Sequence, residues 1–197
     1  MAGFKYLWNN RVRLPFGSFA FFKTWAKRIL LIRSTTKRNI RRAYLNTQGA
    51  NIHECAEISD TIINGRKSNL TVGAFTFIGK ANLALHDRIV IGERVCINDG
   101  VHLLTASHDV NDPQWQHVKA PIIIDDFAWI CTSAIILSGV HIGKGAVVGA
   151  GAIVSKDVKD WEIVVGNPAK AITKKRNSNL KYNPCGFLAA NKAWLEG

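Results

Sequence analysis

The side chains best suited to chemistry sit in one stretch, TASHDVNDPQWQHVKAPI at 105–122, which carries His108, Asp109, Asp112, Trp115 and His117. An imidazole there can take a proton from an attacking hydroxyl, because histidine's ordinary pKa near 6.5 leaves the neutral form dominant at neutral pH. Most histidines in loops are plain surface residues. His108 stands out by place, directly after a regular segment and at the root of an excursion, where scaffolds commonly carry function.

The elements that hold this stretch are read from a spacing of six. Isoleucine or valine occupies 124, 130, 136, 142, 148 and 154 without a break. A helix repeats near 3.6 and a lone strand at 2, so six marks a repeated supersecondary unit, the hexapeptide signature of a parallel β-helix. Ala128, Ala134, Val140, Ala146, Ala152 and Val158 each lie two residues before the next repeat position or continue that phase. Side chains two apart on a strand share a face, so each flat segment offers one large and one smaller group to a common interior. Gly143 and Gly149 are expected to mark sharp corners. Weaker copies follow Ile52, Ile58, Val72, Ile78 and Ala84, then Ile91, Ile97 and Leu103 after a one-residue slip. The expected organisation is an N-terminal extension over 1–49, an all-β solenoid over 50–168 with an excursion at 105–121, and a basic tail over 169–197.

Outside the repeats, Ser18 is expected to cap a helix whose apolar residues Phe19, Phe22, Trp25, Ala26, Ile29 and Leu30 approximate a helical period. The expected role is a cover for the open end of the solenoid. A basic, aromatic helix lying on an anionic membrane surface is the alternative. The net charge of +12 also needs a partner. Nucleic acid is not expected, because no recognition helix, zinc finger or aromatic RNA-binding motif accompanies the charge. Lys23, Lys27, Arg28 and Arg33 interrupt the apolar stretches, so neither a signal peptide nor a membrane span is expected and a cytoplasmic location follows. Cys55, Cys96, Cys131 and Cys185 lack CxxC spacing and read as free thiols.

Four motifs together resemble the hexapeptide-repeat acyltransferases, closest to sugar O-acetyltransferases of the galactoside, maltose and colanic-acid types. They are TASHD at 105–109, Trp129-Ile130, IGKGAVVGAGAIVSKDV at 142–158 and VVGNPAKAI at 164–172. The resemblance implies a left-handed parallel β-helix, a homotrimer, and acetyl-CoA held in the groove between neighbouring solenoids. It assigns His108 as the catalytic base. Along the acetyl-CoA arm it places Trp129, Thr132, Ser133, Ala150, Ser155, Lys156 and Lys170, with the coil at Thr132 and Ser133 supplying oxyanion donors. Lys170 stands where the family often has arginine, which keeps the charge and loses the bidentate fork. Asn82 and Trp115 are the candidates for acceptor contact. No metal is expected.

The function implied is transfer of acetyl from acetyl-CoA to a sugar hydroxyl in surface polysaccharide synthesis. An amino acceptor is the second reading. A zinc hydratase on the same fold would need three converging ligands. Six histidines are present, at 53, 86, 102, 108, 117 and 141, yet His102 and His108 are one hexad apart, on successive faces. A non-catalytic solenoid would lack the histidine-bearing excursion.

Overall fold

A computed structural model describes residues 3–197, so the first two residues of the N-terminal extension lie outside the described residues. From Asn51 onward the chain winds into a parallel β-solenoid whose short strands stack in three sheets. The first face stacks Asn51–Ile52, Leu70–Val72, Ile89–Ile91, Ile122–Ile124 and His141–Ile142. The second stacks Glu57–Ile58, Phe77–Ile78, Cys96–Ile97, Trp129–Ile130, Val147–Val148 and Ile163–Val165, with Lys170–Ala171 folded back antiparallel on the last. The third stacks Ile62–Gly65, Asn82–Leu85, His102–Leu104, Ile135–Ile136 and Ile153–Val154.

The hexad positions fill the interior. Ile124, Ile130, Ile136, Ile142, Val148 and Val154 are each at most 1% exposed, and their smaller companions from Ala128 to Val158 are buried beside them. These residues form one continuous core with Val72, Ile78, Ile91, Ile97 and Leu103. Strands of two or three residues bury little alone, so each coil depends on the coils above and below it.

Two details depart from the expected pattern. Leu83, not Ala84, points inward on the third face and pairs in register with Leu103. That strand is long enough, at Asn82–Leu85, to send both Leu83 and Leu85 inward, so the slip falls before residue 83. Gly143 and Gly149 do stand at corners, each directly before a turn, but with ordinary backbone. Left-handed backbone occurs two residues later in the hexad, at Phe127, Ser133, Gly139, Gly145 and Gly151. Gly143 is small for another reason: a Cβ there would lie 2.5 Å from Asp160 Oδ1 and 2.7 Å from the Asp160 nitrogen, on the adjoining coil.

The N-terminal extension contains α1 (Phe4–Asn9) and α2 (Phe19–Thr47), and the tail ends in α3 (Ala189–Leu195). As expected, Ser18 caps α2, its hydroxyl accepting from the Phe21 N–H at 3.1 Å. The last turn of α2 reaches the solenoid, where Leu45 joins the core beside Ala50 and Ile52. Arg38 pairs there with the fully buried Glu57 at 2.9 Å.

The packed side of α2 is not its apolar one. Thr24, Arg28, Thr35 and Leu45 are buried, whereas Phe19, Phe22, Ile29 and Leu30 are exposed. The two small threonines sit on the packed side of the helix, and Arg28 occupies carbonyls that would otherwise be unpaired. Its Nε donates to the Ala193 carbonyl at 2.9 Å and its Nη2 to the Val12 carbonyl at 3.1 Å, and its guanidinium carbon lies 5.0 Å and 4.9 Å from the Trp25 and Trp194 ring centroids. Burial, and then the charge of Arg11, lower the pKa of Arg28 from its ordinary value. Helix α2 therefore meets the first coil of the solenoid through Arg38 and Leu45, while its aromatic stripe faces away.

Candidate active site

The excursion is a hairpin. Ala106–His108 pairs antiparallel with His117–Lys119, in register His108 to His117. It prolongs the third face beyond its corner, because Thr105, buried at the root, ties its hydroxyl to the Ala84 carbonyl and receives the Asp87 N–H at 2.9 Å. At the hairpin tip Asp109 and Asp112 accept the backbone N–H groups of Asn111 and Gln114, each at 2.9 Å. Those bonds fix the turn and leave neither carboxylate on the histidine.

The group that holds His108 is the backbone carbonyl of Trp115, 2.7 Å from Nδ1. A carbonyl only accepts, so Nδ1 carries the hydrogen, which in the neutral ring leaves the lone pair on Nε2. The Trp115 ring lies flat on the imidazole, with centroids 3.7 Å apart and planes within 8°. Trp115 reaches this position with left-handed backbone, φ 53°. His117 and His86 adjoin, at 5.2 Å from His108 to His117 and 5.5 Å from His117 to His86. These are ring-to-ring contacts, and among the described residues no group of three His, Cys, Asp or Glu side chains could hold a metal ion.

The remaining candidates occupy other parts of the prism. Trp129 stands on the second face, 41% exposed, with Nε1 donating to Asn98 Oδ1 at 2.9 Å. Thr132 and Ala150 share the edge between the second and third faces, where the Thr132 carbonyl accepts the Gly151 N–H at 2.9 Å. Ser133 is on the same edge, but its N–H is given to the Asp99 carbonyl at 3.1 Å, so that amide is not available to an oxyanion. Among the described residues the Thr132 N–H has no acceptor. Ser155 and Lys156 are exposed past the third face, and Lys170 is exposed on the folded-back strand. Asn82 lies on the third face, in register with His102, and its Oδ1 is buried without a hydrogen-bond partner. No hydrogen bond or ring contact within the described residues joins His108 to Trp129, Thr132 or Lys170.

Several residues at the site escaped the sequence reading. The tail returns over the second face, where Arg176 donates to the Phe127 carbonyl at 2.7 Å and to the Tyr182 hydroxyl at 2.8 Å. With Phe77, Asn98, Trp129 and Phe187 they line a groove of about 380 Å³. Burial raises the Tyr182 phenol, and burial followed by the proximity of Cys131 pushes the Cys96 thiol on this groove up to about 11. Phe77, Cys96 and Trp129 each precede an inward residue, a phase from which their shared outer face could have been read. Nothing in the sequence signals that Arg176 and Tyr182 fold back onto it.

A three-faced prism with one hairpin escaping it, and an imidazole pinned on that hairpin, defines a hexad-repeat β-solenoid. Among solved structures the chain is similar to a hexapeptide-repeat acetyltransferase of Vibrio cholerae complexed with acetyl coenzyme A. That likeness has a TM-score of 0.66 and 23% identity, over 90% of this chain and 100% of the other. It is similar too to a maltose O-acetyltransferase of Clostridium difficile, with TM-score 0.63 and 26% identity over 78% and 89%. In sequence it is 41% identical over 92 residues to a Schizosaccharomyces pombe protein named as an acetyltransferase, 45% of this chain and 44% of that one. It is 34% identical over 107 residues to WcaF of Escherichia coli, named as a colanic acid biosynthesis acetyltransferase, 54% of this chain and 59% of that one. The chain thus spans about half the length of the curated relatives it matches. No family model matches. The chain is thus similar, in fold and in its repeat sequence, to proteins named as hexapeptide-repeat and related acetyltransferases.

Proposed function

We propose that this protein transfers acetyl from acetyl-CoA to a sugar hydroxyl, with His108 as general base, and that it works in surface polysaccharide synthesis. One observation carries the reading: the Trp115 carbonyl holds the hydrogen on Nδ1, so in the neutral ring Nε2 is the nitrogen left with a lone pair. The hydroxyl oxygen attacks the thioester carbonyl carbon as its proton passes to Nε2. The oxyanion so formed is met by a backbone donor, for which the Thr132 N–H is suited. The carbon–sulfur bond then breaks, the thiolate recovers the proton from the imidazolium, and the sugar ester departs with free coenzyme A thiol.

The scatter of Trp129, Thr132, Ala150, Ser155, Lys156 and Lys170 over different faces and edges supports a site completed by a second solenoid. Cyclic heterologous contacts close a ring, and a trimer with acetyl-CoA between subunits is the assembly proposed. Asn82, with an unsatisfied buried oxygen, is suited to accept from an acceptor hydroxyl. The open face of Trp115 is suited to stack on a sugar ring. WcaF is named for colanic acid biosynthesis, which favours a polysaccharide acceptor.

The test is thiol release from acetyl-CoA by the purified protein over a panel of sugars and amino sugars. Release that depends on a neutral sugar and falls by about 10²–10⁴ in His108→Ala supports the reading. Release only with amino sugars would move the acceptor to nitrogen, and an unaffected His108→Ala would remove the base.

A further inference from the structure

The outward side of α2 is apolar over about its first three turns, from Phe19 to Leu30, after which Arg33 and Lys37 interrupt the same line. Phe19 and Leu30 are 82% and 80% exposed, and Phe22, Ile29, Ile40 and Tyr44 stand exposed with them. At the helical increment Phe19, Phe22, Ala26, Ile29 and Leu30 fall within a stripe about 100° wide, the width that ordinarily faces a core. Here the core side is already taken by Thr24, Arg28 and Thr35. Phe16, 90% exposed in the turn before the helix, extends the patch, its ring 5.2 Å from Phe21.

The charge around the stripe has one sign. Residues 1–53 hold eleven Lys and Arg, at 5, 11, 13, 23, 27, 28, 33, 37, 38, 41 and 42, and no Asp or Glu, the first acid being Glu54. Several of these are committed inside the fold, as Arg28 is to carbonyls, Arg38 to Glu57 and Lys37 to Asp60. Lys23 is exposed at the edge of the stripe, and Arg33 is exposed on its line one turn past Ile29. Two copies of the helix meeting stripe to stripe would oppose these like charges. An anionic bilayer answers both features at once, with acyl chains for the aromatic stripe and phosphates for the adjoining cations.

We propose that α2 seats this face in the headgroup layer of an anionic membrane, lying in the plane of the surface. Among the described residues no helix is long and apolar enough to cross a membrane, which fits attachment by one amphipathic face. The proposal rests on the helix surface and stands apart from the reading of His108.

The full chain is tested by co-sedimentation with vesicles of phosphatidylcholine alone and of phosphatidylcholine mixed with phosphatidylglycerol. Two variants are compared, Phe19→Asp/Leu30→Asp and Lys23→Glu/Arg33→Glu. The expected result is binding to the mixed vesicles only, weakened by salt and about tenfold or more weaker in each variant. Thermal melts check that the variants fold, and the charge-reversal pair keeps the test open should the apolar pair fail to fold. A parent chain that stays in the supernatant with both vesicles, or variants that bind as well as the parent, would overturn the proposal. So would a fall in oligomeric mass in Phe19→Asp/Leu30→Asp without vesicles, which assigns the stripe to contact between copies. Thiol release on a soluble sugar, measured on the same variants, reads the transferase proposal separately.

Discussion

Replacing Trp115 by alanine separates two supports of His108. The hydrogen bond to Nδ1 comes from the backbone carbonyl of residue 115 and survives the change, so the tautomer is kept. What is lost is the ring lying 3.7 Å from the imidazole centroid at 8°. Aromatic pairs of that kind contribute about 0.5–1.5 kcal/mol beyond area burial, and about 1.4 kcal/mol is tenfold in rate. If the stack serves to order the imidazole, kcat for thiol release in Trp115→Ala falls roughly two- to tenfold. His108→Ala, lacking the base altogether, loses about 10²–10⁴. Trp115→Phe, which restores a flat ring, recovers most of the Trp115→Ala loss. The assay is coenzyme A thiol release at saturating acetyl-CoA, with KM for the sugar followed in parallel. A Trp115→Ala enzyme as slow as His108→Ala, or one as fast as the parent, would refute the orienting role.

Gly143→Ala pushes a methyl to 2.5 Å from Asp160 Oδ1, against neighbouring backbone, and should cost about 1–3 kcal/mol, lowering Tm by about 2–12 °C. Gly186→Ala, with open space and ordinary backbone, should melt with the parent. Burial holds the Cys185 thiol up to about 12 and Cys96 up to about 11, so at pH 8 both are neutral. A thiol reagent should label them slowly in the native protein and all four cysteines rapidly after denaturation. Arg28→Ala strips the Val12 and Ala193 carbonyls of their side-chain donor, a loss of about 1.5–3 kcal/mol, while the Trp194 carbonyl keeps the Val12 N–H, and trypsin should release the C-terminal tail faster while the solenoid persists.

The interior of the solenoid was legible because it obeys a period. Each residue from Ile124 to Val154 contacts copies of itself one coil away, so one spacing encodes the whole stack. Where geometry depends on local strand length, as at Leu83, a period alone misplaces the inward residue. The glycines were legible as corner residues, but the reason for their size was not. A small residue at a corner is consistent with a left-handed backbone or with a close neighbour, and only coordinates distinguish Gly145 from Gly143. Helix α2 was legible as a helix and capped as expected, yet its periodic apolar stripe faces outward. Periodicity identifies an apolar face without saying what covers it. At the candidate site, His108 was singled out by its place after a regular coil. The Trp115 carbonyl that accepts from Nδ1 could not be read, because backbone acceptors leave no residue signature.

The most direct test is a crystal structure of the protein with coenzyme A and a sugar acceptor, measuring the distance from His108 Nε2 to the acceptor hydroxyl. The account predicts about 2.6–3.2 Å, with Nδ1 still on the Trp115 carbonyl and the thiol beside that hydroxyl. An imidazole turned to bulk solvent, with coenzyme A bound away from the hairpin, would contradict it.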